Sequence, residues 1–122
     1  DMILKKINKS FTVCKVKNIN EIDFSDEYCF VGKTDEELSL VCTEGKAPKD
    51  CIEREDGWTA FRIEGTLDFS LIGIISKISV ALAEEKIGVF VVSTFNTDYV
   101  LVKTENFENA KNKLISLGYE FI

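Results

Sequence analysis

The sequence predicts an α+β fold, and three observations predict it. Two segments carry apolar residues at helical spacing, several short runs alternate as strands do, and polar turns separate them. In the second half these elements follow the order β-α-β-β-α-β. The first half offers a shortened version of that order, so two units are expected: 1–56, truncated, and 57–122, complete.

Along the first half, Phe11–Lys17 alternates apolar and polar residues and reads as a strand. Asn18–Glu27 is a polar loop with Ile22 and Phe24 as anchors, and Tyr28–Gly32 is a short apolar strand. After the charged turn Thr34–Glu37, Leu38, Leu40 and Cys42 share one strand face. Pro48–Glu55 is expected as a short helix, because proline suits the first helical position.

Gly57 opens the second half. Trp58–Glu64 places Thr59, Phe61 and Ile63 on one face, with Trp58 as a core anchor. Ser70 is the expected N-cap of a helix reaching Glu85, with Leu71, Ile74, Ile75, Ile78 and Leu82 aligned. Gly73 falls in its first turn, at a helix-propensity cost of about 0.8–1.0 kcal/mol against alanine. Val89–Ser93 is nearly all apolar and is expected to lie centrally in a sheet covered on both faces. Asp98–Lys103 is its neighbour, Asn106–Leu117 a second helix with Phe107, Ala110, Leu114 and Leu117 aligned, and Tyr119–Ile122 a last strand.

The second half thus has the ferredoxin-like order, and the first half approximates it. No residue-level repeat is apparent between them. So many apolar faces in so short a chain predict antiparallel sheets packed together, and pairing between chains as well.

Composition narrows the function. A net charge of −6 with scattered lysines argues against nucleic acid. No apolar run reaches the roughly 18 residues of a membrane span, and Met2–Lys9 does not resemble a signal peptide, so the expected compartment is the cytoplasm. Cys14, Cys29, Cys42 and Cys51 are expected as reduced, largely buried thiols, without a metal, since none has zinc-site spacing and there is no histidine. Without histidine, a phosphate loop or a nucleophile elbow, neither a cofactor nor catalysis is expected.

Two polar segments at strand ends carry the chemistry. The first is DFSLIG, Asp68–Gly73, at a helix start; the second is STFNTDYVLV, Ser93–Val102, through a turn. A helix N-terminus presents unpaired N–H groups and partial positive charge, which suit a carboxylate. The backbone of Phe69, Ser70, Leu71, Ile72 and Gly73 is the candidate for that role, while Asp68, Asp98 or the oxygens of Ser93 and Thr94 suit an ammonium. Together they suit a free amino acid. The bland reading makes Asp68 a cap and Asn96 and Thr97 turn formers, but it explains less about Ser93 and Thr94, which follow four apolar residues at a strand end. Phe95 stands out as an aromatic in a polar turn.

The same stretches resemble the ACT domain, specifically the small tandem-ACT proteins related to aspartokinase regulatory domains and to the animal cytosolic arginine sensor. The matching pieces are Gly57–Trp58, EGTLDFSLIG from Glu64, ALAEEKIGVFVVST from Ala81, TDYVLV from Thr97 and, upstream, TDEELSLVC from Thr34. Thr66 stands where the family commonly carries proline. The resemblance implies a non-catalytic regulatory module that holds a free amino acid between ACT units of one or two chains. It also implies a homodimer or larger assembly, with output through a partner protein. The alternative is an interaction or structural protein forming homo- or hetero-oligomers without a working pocket.

Overall fold

A computed structural model describes residues 2–64 and 73–122. Among them the chain forms eight strands: β1 (Ile3–Lys6), β2 (Phe11–Lys15), β3 (Cys29–Lys33), β4 (Leu38–Thr43), β5 (Glu53–Ile63), β6 (Phe90–Ser93), β7 (Asp98–Lys103) and β8 (Glu120–Phe121). The α-helices are α1 (Ile74–Glu84) and α2 (Phe107–Ser116), and 3-10 turns occupy Ile19–Glu21, Glu44–Lys46 and Thr104–Asn106. None of these helices is long and apolar enough to cross a membrane. The chain divides into two compact units, Lys9–Trp58 and Asp1–Asn8 with Thr59–Ile122. Residues 1–8, which the sequence reading keeps with the first half, group with the second.

In the C-terminal unit the strands run β6-β7-β5-β1-β8. β1 lies antiparallel to β5, Leu4 opposite Ile63, and parallel to β8, Ile3 opposite Glu120. Helix α1 buries Ile78, Ala81 and Leu82, and α2 buries Phe107, Ala110 and Leu114. They share a core with Leu4, Phe61, Ile63, Val100 and Val102. Each large side chain fully withdrawn from water here contributes roughly 1.5–3 kcal/mol. Phe121 meets Phe61 and Phe107 edge-on, with ring centroids 5.4 and 5.9 Å apart.

In the N-terminal unit the order is β3-β4-β2-β5, the last represented by Glu53–Trp58. Its core is Cys14, Val16, Ile22, Leu40 and Cys42, with Cys29, Leu38, Ala47 and Cys51 packed on it. Loops and 3-10 turns, not α-helices, supply the covering residues Ile22, Ala47 and Cys51. The loop is tied down by Asp26, whose carboxylate accepts the Thr43 N–H (3.0 Å) and hydroxyl (2.7 Å) and the Tyr28 N–H (3.0 Å).

The two hairpins repeat each other sixty residues apart, and Phe30, Val31 and Thr34 recur as Phe90, Val91 and Thr94. β4 begins at Leu38 and β7 at Asp98, and their burial patterns are identical. Thr34 N–H donates to Glu37 O at 2.9 Å as Thr94 N–H does to Thr97 O at 2.8 Å. The 3-10 turns that follow begin at Glu44 and Thr104. Elsewhere in the hairpins hydropathy and turn geometry carry the repeat, because side-chain identity is free to drift where size and polarity suffice.

Several sequence expectations are corrected. Pro48–Glu55 is not a helix: Ile52 N–H bonds Lys15 O at 2.8 Å, and Glu53–Glu55 pairs with β2. A ready-made ladder outcompetes an eight-residue helix with a costly nucleus. β1 is a strand that the sequence reading did not assign, because its alternation is short and lysine-rich. β6 is not central among the described residues, where it pairs with β7 alone, and Val91 is 37% exposed. Phe24 and Leu117, expected as anchors, are 63% and 55% exposed. Gly73 is not inside the first turn but caps α1, with φ +82°, a left-handed conformation that glycine alone adopts cheaply. The expected N-cap at Ser70 lies outside the described residues.

Candidate functional site

The candidate site is assembled at one end of the C-terminal unit. β6 and β7 join through the tight turn 94–97. Thr94 N–H and hydroxyl both donate to Thr97 O (2.8 and 2.9 Å), and the Thr97 N–H returns to Thr94 Oγ1 at 3.3 Å. Thr94 is thereby accounted for as a turn builder. The buried Thr97 hydroxyl donates to Ile63 O at 2.7 Å, which fastens the turn to the end of β5.

Ser93 and Asp98 face each other directly across the mouth of this turn. They share the parity of Val91 and Val100, another directly opposed pair, and so project from the sheet face on which α1 and α2 pack. Ser93 is exposed and Asp98 half-buried. Helix α1 is joined to the far end of β6 by five residues, 85–89. Its length of about 16 Å carries it back, so its N-terminus lies toward the 94–97 end of the sheet.

That N-terminus has no side-chain cap and no acidic residue in its first turn. Among the described residues its first N–H groups therefore have no side-chain acceptor and no carboxylate in the first turn opposes the helix dipole. Of the residues singled out by sequence, Gly73, Ser93 and Asp98 thus gather toward one end of one sheet face. Asp68, Phe69, Ser70, Leu71 and Ile72 lie outside the described residues.

Sequence reasoning overlooked a polar cluster on the opposite face. Arg62 donates to Tyr99 Oη at 3.1 Å and to Glu64 Oε2 at 3.4 Å, with its guanidinium 5.9 Å from the Tyr99 ring centre. The only available signal was the lone arginine between Phe61 and Ile63. Phe95, at the turn, is fully exposed.

The four cysteines all belong to the N-terminal core and all are free thiols. Burial, with Cys14 next, pushes the Cys42 thiol up to about 12. Burial, then a hydrogen bond with the Cys14 thiol, pushes Cys51 up to about 11. Such thiols are poor nucleophiles at neutral pH. Among the described residues no group of three or more His, Cys, Asp or Glu is placed to hold a metal ion.

These features define an α+β domain with two helices on one face of a sheet and a polar turn at its end. The ACT-domain family profile matches residues 53–116, and the chain belongs to that family. A crystal structure of an Agrobacterium tumefaciens protein superposes with a TM-score of 0.89 at 29% identity, covering 99% of this chain and 92% of that one. The aspartate kinase of Clostridium acetobutylicum matches with a TM-score of 0.65 at 19% identity, over 92% of this chain and 33% of the enzyme. The regulatory subunit of aspartate kinase from Thermus thermophilus, in its ligand-free form, matches at 0.65 and 10% identity, over 93% and 95%. The comparison with curated protein sequences found no match.

Proposed function

We propose that this chain is a non-catalytic regulatory module that binds a free amino acid. The observation that carries the reading is that the N-terminus of α1, without a side-chain cap among the described residues, lies toward the Ser93–Asp98 end of the sheet. The backbone N–H groups from Phe69 to Gly73, just ahead of α1, take the carboxylate, while Asp98, Asp68 and the Ser93 hydroxyl take the ammonium. Membership of the ACT family supports this division of labour, as does the likeness to aspartate kinase, one structure of which, from Escherichia coli, is a complex with aspartate and ADP.

Both halves are read as ferredoxin-like ACT units, the first stripped of its helices. The strand order β3-β4-β2-β5 and the hairpin repeat support that reading. Kinship with the animal cytosolic arginine sensor rests on the DFSLIG and STFNTDYVLV motifs. The module acts in the cytoplasm as a homodimer or larger assembly, with the ligand at an interface between ACT units. Ligand binding favours one packing of the units over another, and a partner protein reads the difference.

A thermal-shift screen of the twenty amino acids tests the proposal. One of them, at 100 times its dissociation constant, is expected to stabilise the fold by about 2.7 kcal/mol. No shift with any amino acid would leave the second reading, an interaction protein without a working pocket. The composition of β6 favours that reading: Phe90, Val91 and Val92 carry no charge to discourage pairing with another chain.

A further inference from the structure

Cys29 and Cys42 stand directly opposite each other on the antiparallel pair β3 and β4. The Thr34 N–H bond to Glu37 O makes pair 34/37 a hydrogen-bonded one. Antiparallel ladders alternate, so 33/38, 31/40 and 29/42 are of the other type, whose Cα atoms approach to about 4.5 Å with their side chains closest. A disulfide spans Cα separations of about 4.4–6.8 Å. The two thiols are thus placed to join with little movement of the backbone.

The hairpin repeat sharpens the point. Sixty residues on, the same two positions hold Val89 and Val102, which pack into the C-terminal core. A valine pair meets the packing requirement there, so the two thiols bring chemistry that packing does not require. In the N-terminal unit, moreover, no α-helix covers this core. Cys42 is 2% exposed, but Cys29 is only half-buried and reachable from solvent.

We propose that Cys29 and Cys42 are a redox pair that a small-molecule disulfide converts into a cross-strand disulfide, locking β3 to β4. The Cys29 thiolate attacks one sulfur of the small disulfide, forming a mixed disulfide and releasing one thiolate. The Cys42 thiolate then attacks the Cys29 sulfur and releases the second. Two protein thiols are oxidised, one external disulfide is reduced to two thiols, and the two protons pass to the leaving sulfurs.

The surroundings set the rate. Burial and the carboxylates of Asp26 and Asp23 raise the Cys29 thiol. Cys42 is held up by burial, Cys14, Asp26 and Cys29, and is opposed by Arg54 alone. Exchange is therefore slow at neutral pH and quickens as pH rises. The competing couple is Cys14 and Cys51, whose thiols share a hydrogen bond; Cys51 also donates to Pro48 O at 3.1 Å from a turn outside any ladder.

The test treats the folded full chain with oxidised glutathione at mildly alkaline pH, caps residual thiols, and maps peptides by mass spectrometry without reduction. A Cys29–Cys42 cross-link is expected, faster with rising pH and absent in Cys29→Ser. In Cys42→Val, which copies the other hairpin, only a glutathione adduct on Cys29 is expected. Hydrogen exchange of the β3 amides should slow in the oxidised wild type. A stable Cys29 adduct that never resolves in the wild type, a Cys14–Cys51 link in its place, or no reaction in the folded chain would each overturn the proposal.

Discussion

The Thr97 hydroxyl donates to the Ile63 carbonyl at 2.7 Å, joining the β6–β7 turn to the last residue of β5. This buried bond places Asp98, one residue along, beside the strand that leads toward α1. Removing it should loosen the candidate site and the core together. Thr97→Val keeps the shape but leaves the carbonyl of Ile63 without this donor. A loss of about 1–3 kcal/mol in unfolding free energy is expected by chemical denaturation.

Gly73 holds φ +82° with open space where a Cβ would stand. Gly73→Ala therefore introduces backbone strain without a clash, and about 1–2 kcal/mol of destabilisation is expected. If a ligand carboxylate uses the N–H groups here, its affinity should fall by more than the unrelated exposed change Gly45→Ala produces. Calorimetry on the two variants reads the difference.

Asp98→Ala and Asp68→Ala are expected to weaken amino-acid binding by about 1.5–3 kcal/mol each, the worth of a charged hydrogen bond, while the fold remains intact. The opposite outcome, lost stability with undiminished affinity, would make these carboxylates structural caps.

The buried Cys42 thiol sets an alkaline limit. Its folded value is raised from about 9 in the unfolded chain to about 12, so the neutral form is favoured by folding. The corresponding stability is fully present below pH 9 and drains away as pH climbs toward 12. Urea midpoints measured across that window should fall in the wild type and fall less steeply in Cys42→Val, where the raised thiols of Cys51 and Cys29 remain.

Assembly is expected through β6, whose one ladder partner among the described residues is β7, paired with its counterpart in a second chain about a two-fold axis. Light scattering should return more than the 13.8 kDa of one chain. Val91→Lys, placing charge on that strand, should shift the population to monomer without lowering the thermal midpoint of the isolated chain.

Element types across the second half were legible from residue order alone, since Ile78, Leu82, Phe107, Ala110 and Leu114 repeat at helical spacing and β7 spans the expected Asp98–Lys103. The position of the 94–97 turn was legible as well, but not its bonds: Thr94, singled out as a ligand group, builds the turn, and the Thr97 hydroxyl reaches the distant Ile63 carbonyl. What residue order left open is every question answered by a partner far along the chain. Glu53–Glu55 is a strand because β2 offers it a ladder, β1 is one because β5 and β8 flank it, and β6 has β7 as its one partner among the described residues. Ser93 and Asp98 were individually visible, but their shared face depends on ladder register, and Cys29 met Cys42 only once β3 was aligned on β4. Local preference is worth tenths of a kcal/mol to about one per residue, whereas pairing and burial act over the whole element, and where the two disagreed the tertiary term prevailed.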